Sequence, residues 1–229
     1  MKTVIITGAN GNLGTATVKK FLDKGYRVVA VDGASNHLEF ALKNPNFELK
    51  GVNLSDEHDT GVFIADVIGK YEKIDGSLLL VGGFAAGGIA ETGGADLKKM
   101  FTLNFETAYY TARPLFQHML EQGFGRIVFV GARPALVADQ GKNLIAYGLS
   151  KSLLFKLADF LNASAKGKNV VCSVIAPSTI DTEINRKSMP DVNPDNWVKA
   201  DQIADILEFI CGENGMPLRE SVYKVYNNA

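Results

Sequence analysis

Short apolar runs alternate with longer stretches of helical periodicity along all 229 residues of the chain. The runs at 4–6 and 127–130 contain no polar residue, which is typical of strands that are buried on both faces. Such strands occur in parallel sheets covered by helices, and strand-helix alternation with right-handed crossovers builds this kind of sheet. The sequence therefore predicts an α/β fold with one doubly wound, mostly parallel sheet and helices on both faces.

The same periodicities predict where the individual elements lie. Strands are predicted at 4–7, 27–32, 46–52, 78–81, 126–130, 169–175 and 222–226, and helices at 13–23, 55–71, 97–122, 143–165 and 197–211. Gly25 is predicted to cap the first helix at its C-terminus, and Ser55 to be the N-cap of the second. Pro114 predicts a kink or local irregularity in the third helix.

No linker divides the chain, so one domain is expected over residues 1–229. The longest flexible stretch is predicted at 82–94, where it follows a strand. Parallel sheets place their ligand loops at the carboxyl ends of strands. We therefore expect substrate loops at 82–94 and at 178–196.

The composition narrows the possible partners. The chain has 24 basic and 25 acidic residues and a formal net charge of -1, which argues against non-specific binding of nucleic acid. No apolar run approaches the ~20 residues of a membrane span. Cys172 and Cys211 lie in apolar segments and are expected to be buried free thiols, which favours a cytoplasmic location. The three histidines are scattered, so no metal site is predicted.

A glycine-rich loop follows the first predicted strand and leads into a helix. Gly8, Gly11 and Gly14 permit a tight turn, close approach of the backbone to a pyrophosphate, and close helix-strand packing. The helix N-terminus would offer free N–H groups to the phosphates. The spacing is Gly-x-x-Gly-x-x-Gly, and glycines also form ordinary turns. In its strand-loop-helix context the loop predicts a dinucleotide site.

Asp32 ends the second predicted strand. A carboxylate there can accept hydrogen bonds from both adenosine ribose hydroxyls, and it would repel a 2′-phosphate. No arginine follows it in the stretch 33–36. The residue therefore favours NAD(H), with NADP(H) still possible. The alternative is an ordinary turn carboxylate at the end of a strand.

Tyr147 and Lys151 stand four positions apart in a predicted helix and so share one face. Free tyrosine has a pKa near ~10, and a nearby positive charge lowers that pKa. The sequence therefore predicts a phenol with a lowered pKa that acts as a general acid or base. The alternative is a pair of ordinary helix-surface residues.

The glycine loop, Asp32, Asn104 and the Tyr147-x-x-x-Lys151 pair together resemble the short-chain dehydrogenase/reductase family, over nearly the whole chain and in the same order. The resemblance implies a single Rossmann-type domain that moves hydride between a nicotinamide and a substrate carbon. It also implies catalytic roles for Tyr147, Lys151 and Asn104. The cofactor-binding positions it implies are Gly8, Asn10, Gly11, Asn12, Leu13, Gly14, Asp32, Asn53, Leu54, Gly82, Gly83, Tyr147, Lys151, Pro177, Ile180 and Thr182.

Two positions depart from the family pattern, and the one at Ala132 is informative. Ala132 stands where the family's catalytic serine normally ends strand five, and Ser178 replaces a usual glycine. Alanine cannot donate a hydrogen bond to a substrate oxygen, and one such donor is typically worth ~3 kcal/mol of transition-state stabilisation. Serine-free strand ends and a Gly-Gly-aromatic-Ala stretch, here at 82–85, are similar to the dihydropteridine reductase subgroup. Asn104 instead follows the general family.

The sequence thus predicts hydride transfer from NAD(P)H to a small ring-shaped acceptor such as a quinonoid dihydropteridine. The alternatives are a general carbonyl or alcohol reductase and a non-catalytic NAD(P)-sensing regulator. The helices at 97–122 and 143–165 carry apolar residues on more than one face. By resemblance, these helices pair with a second copy of the chain, which predicts a homodimer or homotetramer. Phe84, Trp197 and the Tyr109-Tyr110 pair are candidates for an aromatic wall.

Overall fold

A computed structural model describes residues 1–228. Within these residues, seven strands form one parallel sheet and two further strands form a small parallel pair. The strands of the large sheet are β1 (Thr3–Thr7), β2 (Arg27–Val31), β3 (Phe47–Lys50), β4 (Gly76–Leu79), β5 (Phe124–Val130), β6 (Asn169–Pro177) and β9 (Val222–Val225). The small pair consists of β7 (Ile180–Asp181) and β8 (Val198–Lys199).

Helices connect these strands. They are α1 (Asn12–Asp23), α2 (Glu57–Tyr71), α3 (Gly94–Phe101), α4 (Thr107–Gln122), α5 (Ala138–Gly141), α6 (Ile145–Ser164), α7 (Glu183–Ser188) and α8 (Ala200–Cys211). A π-helical segment, Thr102–Glu106, joins α3 to α4, and short 3-10 turns lie at Arg133–Ala135 and Pro194–Asn196.

The strand order in the large sheet is β3-β2-β1-β4-β5-β6-β9. All neighbouring pairs are parallel, so all seven carboxyl ends meet at one edge of the sheet. The order reverses between β1 and β4. Folds of this kind bind ligands in the crevice at such a switch point. The predicted α/β class and doubly wound topology are confirmed, and the sheet is parallel throughout.

Alternate residues of each strand enter opposite layers of the core. In β1, Ile5 belongs to the layer under α2, α4 and α6, whereas Val4 and Ile6 belong to the layer under α1 and α8. All three are fully buried. The uninterrupted apolar strands in the sequence follow from this burial on both faces.

Glycines lie at both ends of helix α1, with Gly14 in its first turn and Gly25 after its last residue. After its last residue, Gly25 adopts a left-handed φ of +76° and its N–H donates to Leu22 O, while the Tyr26 N–H donates to Phe21 O. This pair of hydrogen bonds is a Schellman cap and bears out the role predicted for Gly25. At the other end, a Cβ on Gly14 would lie 2.0 Å from Gly8 O, so only glycine fits between the helix and its loop.

Several local predictions are wrong, among them the start of the last helix, which lies at Ala200 and not at Trp197 because Val198–Lys199 form β8. Asp56, not Ser55, is the N-cap of α2, because its carboxylate accepts a hydrogen bond from Asp59 N, whereas Ser55 N donates to Asn53 Oδ1. The third predicted helix begins at Gly94 and is irregular at Thr102–Glu106, well before Pro114, which lies inside α4. The predicted strand at 78–81 ends at Leu79.

No helix among residues 1–228 combines the length and the apolar character that crossing a membrane requires.

Candidate active site

Asn104 lies in the π-helical segment between α3 and α4 and is fully buried. Its Oδ1 accepts a hydrogen bond from Gly83 N at 2.8 Å, and its Nδ2 donates to Gly83 O at 3.2 Å. The side-chain amide therefore pairs with the backbone of the loop that follows β4, as a neighbouring strand would. Single π-helical turns inside α-helices occur frequently at functional sites, and this one carries a predicted site residue.

Ser150 extends this connection to α6. Its Oγ accepts a hydrogen bond from Asn104 Nδ2 at 3.0 Å and donates one to Tyr147 O at 2.8 Å. Ser150 is fully buried. A continuous chain of hydrogen bonds thus joins Gly83, Asn104 and Ser150 to the first turns of the helix that carries Tyr147. Sequence analysis assigned no role to Ser150, and its position directly before Lys151 was the one available signal.

Lys151 lies inside the protein, with 5% of its surface exposed. Its Nζ donates a hydrogen bond to Val130 O at the end of β5, at 2.8 Å. Burial lowers the pKa of Lys151 to about 8, because an ammonium group loses hydration there. A Cβ on Gly82 would lie 2.9 Å from this Nζ and 2.9 Å from Asn104 Oδ1. The absent side chain of Gly82 thus leaves room beside both groups.

Tyr147 is half-buried, one turn before Lys151 in α6. The predicted lowering of its pKa is wrong for the protein without ligands. Burial raises the pKa of Tyr147 to about 12, since a phenolate loses more hydration than a phenol, and Lys151 does not offset this effect. The phenol is therefore protonated at neutral pH. The ring of Phe84 meets that of Tyr147 edge to face, with 5.2 Å between centroids.

The stretch at 82–94, predicted to be flexible, is held by hydrogen bonds. Gly87 forms a bridge to the start of α6, because its N–H donates to Asn143 O and its carbonyl accepts from Ile145 N, each at 2.9 Å. Gly88 N donates to Glu91 Oε2 at 2.8 Å. Phe84 is exposed over 65% of its surface within this fixed loop. It is therefore an apolar surface held in place beside Tyr147.

A cavity of about 360 Å³ opens at the switch point between β1 and β4. Of the predicted cofactor residues, it is lined by Gly8, Gly11, Asp32, Leu54 and Gly82. Its other walls come from Val31, Gly33, Val52, Ser55, Leu80, Val81, Leu103 and Thr107. The N-terminus of α1 begins beside it at Asn12, where the first helical N–H groups lack intrahelical acceptors. This arrangement fits an anionic dinucleotide.

Asp32 is held by the backbone on both sides of the cavity rim. Its Oδ2 accepts a hydrogen bond from Asn10 N at 3.0 Å, and its Oδ1 accepts one from Ala34 N at 3.1 Å. The carboxylate therefore has a fixed orientation before any ligand binds. Each oxygen keeps acceptor capacity for a further donor such as a ribose hydroxyl.

The side chain of Asn10 forms its hydrogen bonds with other residues of the protein. Its Nδ2 donates to Asn36 Oδ1 at 2.9 Å, and its Oδ1 accepts from His37 N at 2.8 Å. His37 Nδ1 also lies 2.9 Å from Asn10 O. Asn10 thus fastens the stretch after Asp32 to the glycine loop. The sequence predicted a cofactor contact at Asn10 and did not reveal this role.

The remaining predicted cofactor positions are not among the residues that line the cavity. Leu13 packs partly buried in the core layer under α1, and Asn53 is exposed in an adjoining groove. Gly83 is bound by Asn104, and Pro177 ends β6. Ile180 belongs to β7, and the Thr182 hydroxyl oxygen caps α7 by accepting from Asn185 N at 3.1 Å. The cofactor contacts of these residues remain predictions.

Two further features of the site are the missing hydroxyl donor after β5 and the positions of the four aromatic residues predicted to form a wall. Ala132 is buried directly after β5 and bears no hydrogen-bonding side chain. Trp197 is 2% exposed and belongs to the interior, and Tyr109 stacks on Phe105 with 5.9 Å between centroids. Of the four aromatic candidates, Phe84 is the residue that contacts the Tyr147 ring.

Comparison with known proteins supports the same family. The family model described as short chain dehydrogenase matches residues 2–193. A dihydropteridine reductase of Dictyostelium discoideum is 29% identical over 232 residues, which cover 97% of this chain and 94% of that protein. A 2-(R)-hydroxypropyl-CoM dehydrogenase of Xanthobacter autotrophicus is 26% identical over 233 residues and covers 93% and 92% of the two chains.

A solved structure, ElxO with NADP bound, has the same fold at a TM-score of 0.89, with 20% identity and coverage of 98% of this chain and 96% of that one. The family match spans most of the chain, so the chain belongs to the short-chain dehydrogenase/reductase family of oxidoreductases. Membership of this family supports a nicotinamide cofactor.

The buried hydrogen bonds of Ser150 predict a cost when they are removed. Ser150→Ala leaves Asn104 Nδ2 without one acceptor and is expected to lower the free energy of unfolding by about 1–3 kcal/mol. Urea denaturation measures this change. Ser152→Ala is the matched control, because its hydroxyl also donates to a backbone carbonyl in α6 but is exposed. Equal stabilities of the two variants would contradict the prediction.

The burial of Lys151 predicts a pH dependence of stability. Its pKa is about 8 when folded and near the ordinary 10.5 when unfolded, so the unfolded chain binds more protons between these values. The prediction compares the free energies of unfolding of the native protein and of Lys151→Met. Their difference, native minus variant, is expected to rise by roughly 1–3 kcal/mol between pH 8 and pH 10.

Urea denaturation across this pH range tests the prediction. Lys156→Met serves as the control, because Lys156 lies in the same helix with 62% of its side chain exposed. Its difference from the native protein should stay constant with pH. A constant difference for Lys151→Met as well would show that the lysine is not buried as described.

Proposed function

We propose that the protein is an NAD(H)-dependent reductase of a small ring-shaped acceptor, of which quinonoid dihydropteridine is the best candidate. The observation that carries the proposal is the set of groups at the carboxyl edge of the sheet: a protonated, half-buried Tyr147 one helical turn from the buried Lys151, with Ala132 in place of a hydroxyl donor. The dihydropteridine reductase relative, at 29% identity over nearly the whole chain, supports the acceptor class.

A nicotinamide dinucleotide would lie in the cavity at the switch point, with Gly8, Gly11 and the α1 N-terminus at its phosphates. Asp32 would accept the ribose hydroxyls, and its orientation is fixed by Asn10 N and Ala34 N. The stretch 33–42 contains no lysine or arginine to neutralise a 2′-phosphate, which supports NADH over NADPH. When bound, the cofactor supplies hydride.

Tyr147 holds the proton that the reduction consumes. Its pKa of about 12 keeps the proton on Oη at neutral pH, so the group is a donor in the reductive direction. A positive charge that comes to lie closer in the complex would lower this pKa and ease the transfer. Lys151, with a pKa of about 8, is protonated at neutral pH and can bind the ribose hydroxyls beside Gly82.

Ala132 and Phe84 determine the acceptor in this proposal. Without a hydroxyl at the end of β5, a simple carbonyl loses a hydrogen bond worth ~3 kcal/mol in the transition state. An electron-poor heterocycle needs less stabilisation at an oxygen. Phe84, 65% exposed and fixed next to Tyr147, offers an aromatic edge or face to a flat ring.

The second candidate is oxidation or reduction of an ordinary alcohol or carbonyl. The buried Asn104 of the general family and the relative that is a 2-(R)-hydroxypropyl-CoM dehydrogenase favour it. A non-catalytic NAD(P) sensor would show tight cofactor binding and no turnover with either class of acceptor.

A homo-oligomer is part of the proposal. Leu149 and Phe160 on α6 are exposed over 49% and 64% of their surfaces, and Tyr109 on α4 over 37%. Sedimentation at micromolar protein is expected to show a dimer or tetramer, and monomer alone would contradict it.

The decisive variant is Tyr147→Phe, which removes the proton on Oη and keeps the ring. The rate of NADH oxidation with quinonoid dihydropterin is expected to fall at least about 100-fold, while NADH affinity by fluorescence titration stays within about twofold. Native enzyme should prefer NADH to NADPH and dihydropterin to simple ketones. Brisk turnover of ketones without turnover of dihydropterin would establish the second candidate, and unchanged velocity in Tyr147→Phe would remove the tyrosine from the mechanism.

A further inference from the structure

The segment 226–228 lies at the same edge of the sheet as the candidate active site. It directly follows β9, whose Val225 pairs in parallel with Pro177 of β6. The chain therefore leaves β9 beside the loop that leaves β6. This second loop, residues 178–197, contains α7 and is called the acceptor loop below.

Ser178 binds the 226–228 segment at the start of the acceptor loop. Its N–H donates to Val225 O at 3.0 Å, and its hydroxyl donates to Tyr226 O at 2.7 Å. The family's usual residue at this position is glycine, which has no hydroxyl. The departure at Ser178 therefore adds a hydrogen bond between the two segments.

Asn227 binds the end of the same loop. Its Nδ2 donates to Trp197 O at 3.0 Å and lies 3.5 Å from Asp195 O. Its φ of +51° is left-handed, a conformation that asparagine tolerates better than most residues. Trp197, 2% exposed, is anchored in the interior. The short segment thus contacts the acceptor loop at both of its ends.

The two ends of the acceptor loop are also paired with each other. Ile180 lies opposite Val198 and Asp181 opposite Lys199 in the parallel β7-β8 pair. Between these strands the loop contains α7, and Ile184 of α7 is exposed over 73% of its surface. The position of α7 therefore depends on how firmly the loop ends are held.

The 226–228 segment reaches the end of β5 as well. The Arg133 guanidinium lies over the Tyr226 ring, 4.7 Å from its centroid. Arg133 directly follows Ala132, the position at which the hydroxyl donor is missing. One short segment therefore connects β5, the start of the acceptor loop and its end.

We propose that Ser178 and Asn227 are positioning residues that fix the acceptor loop for binding of the acceptor through the 226–228 segment. Neither residue touches the reacting atoms in this proposal. It rests on the proposed reductase function for its kinetic consequence, but the coupling of the two segments is a property of the protein without ligands.

The test uses the full chain with Ser178→Ala and Asn227→Ala. Ser178→Ala removes one side-chain hydrogen bond to a backbone carbonyl, and Asn227→Ala removes those to Trp197 O and Asp195 O, so KM for quinonoid dihydropterin is expected to rise about fivefold. Ser178→Thr keeps the hydroxyl and should restore the native KM. Ser164→Ala, whose hydroxyl donates to Phe160 O far along α6, is the control and should leave KM unchanged.

Amide hydrogen exchange separates this proposal from the proposed function. In Asn227→Ala, the amides of residues 180–198 are expected to exchange about fivefold faster than in the native protein, whether or not any acceptor is turned over. Native exchange in this range would overturn the proposal. So would an unchanged KM in both variants of an active enzyme, even if their thermal stability falls. Faster exchange without turnover of dihydropterin or ketones would reject only the reductase function.

Discussion

Close backbone packing at the carboxyl edge of the sheet is the constraint on which the site depends. Seven parallel strands end there, and the loops after β1 and β4 pass so close to their neighbours that a Cβ on their glycines would not fit. Gly14 brings α1 against Gly8 O, and Gly82 brings the loop after β4 against Asn104 and Lys151. A Cβ at either glycine would occupy space that the site uses. These glycines permit the close packing, and the cavity results from that packing.

Burial then determines the chemistry of the side chains at this edge. Tyr147 and Lys151 both lose hydration, and neither gains a counter-charge among the described residues, so each is shifted toward its neutral form. A phenol that holds its proton firmly and a lysine that gives up its proton more easily are the starting state of the site. In the proposed reaction, the phenol holds a proton for an acceptor that already draws electrons, which is the class of acceptor proposed for a site with alanine at position 132.

The sequence was sufficient for the fold and for placing Tyr147 and Lys151 on one helix. Apolar runs at 4–6 and 127–130 predicted the parallel sheet, because strands that are buried on both faces have uninterrupted apolar sequences. Helix periodicity likewise placed Tyr147 and Lys151 on one helix. Sequence spacing alone gave the wrong direction for the pKa of Tyr147, because hydration depends on tertiary packing that no local pattern encodes.

Long-range hydrogen bonds were equally invisible in the sequence. Asn10 was predicted to contact the cofactor, yet its side chain binds Asn36 and His37. The π-helical turn at Asn104, the role of Ser150 and the contacts of Asn227 all depend on which segments the fold brings together. Ser178 is a departure from a family glycine in the sequence. Its hydrogen bond to Tyr226 O depends on the pairing of β6 with β9, which no local pattern predicts.

The central claim is that partial burial raises the pKa of Tyr147 from the ordinary 10 to about 12, and it can be measured directly. In protein labelled with ¹³C at tyrosine Cζ, comparison with Tyr147→Phe assigns the resonance, and its chemical shift follows the titration. The account predicts that in the protein without cofactor this resonance remains that of the phenol up to pH 10 and begins to change only above it. A titration midpoint at the ordinary value of 10 or below would contradict the account.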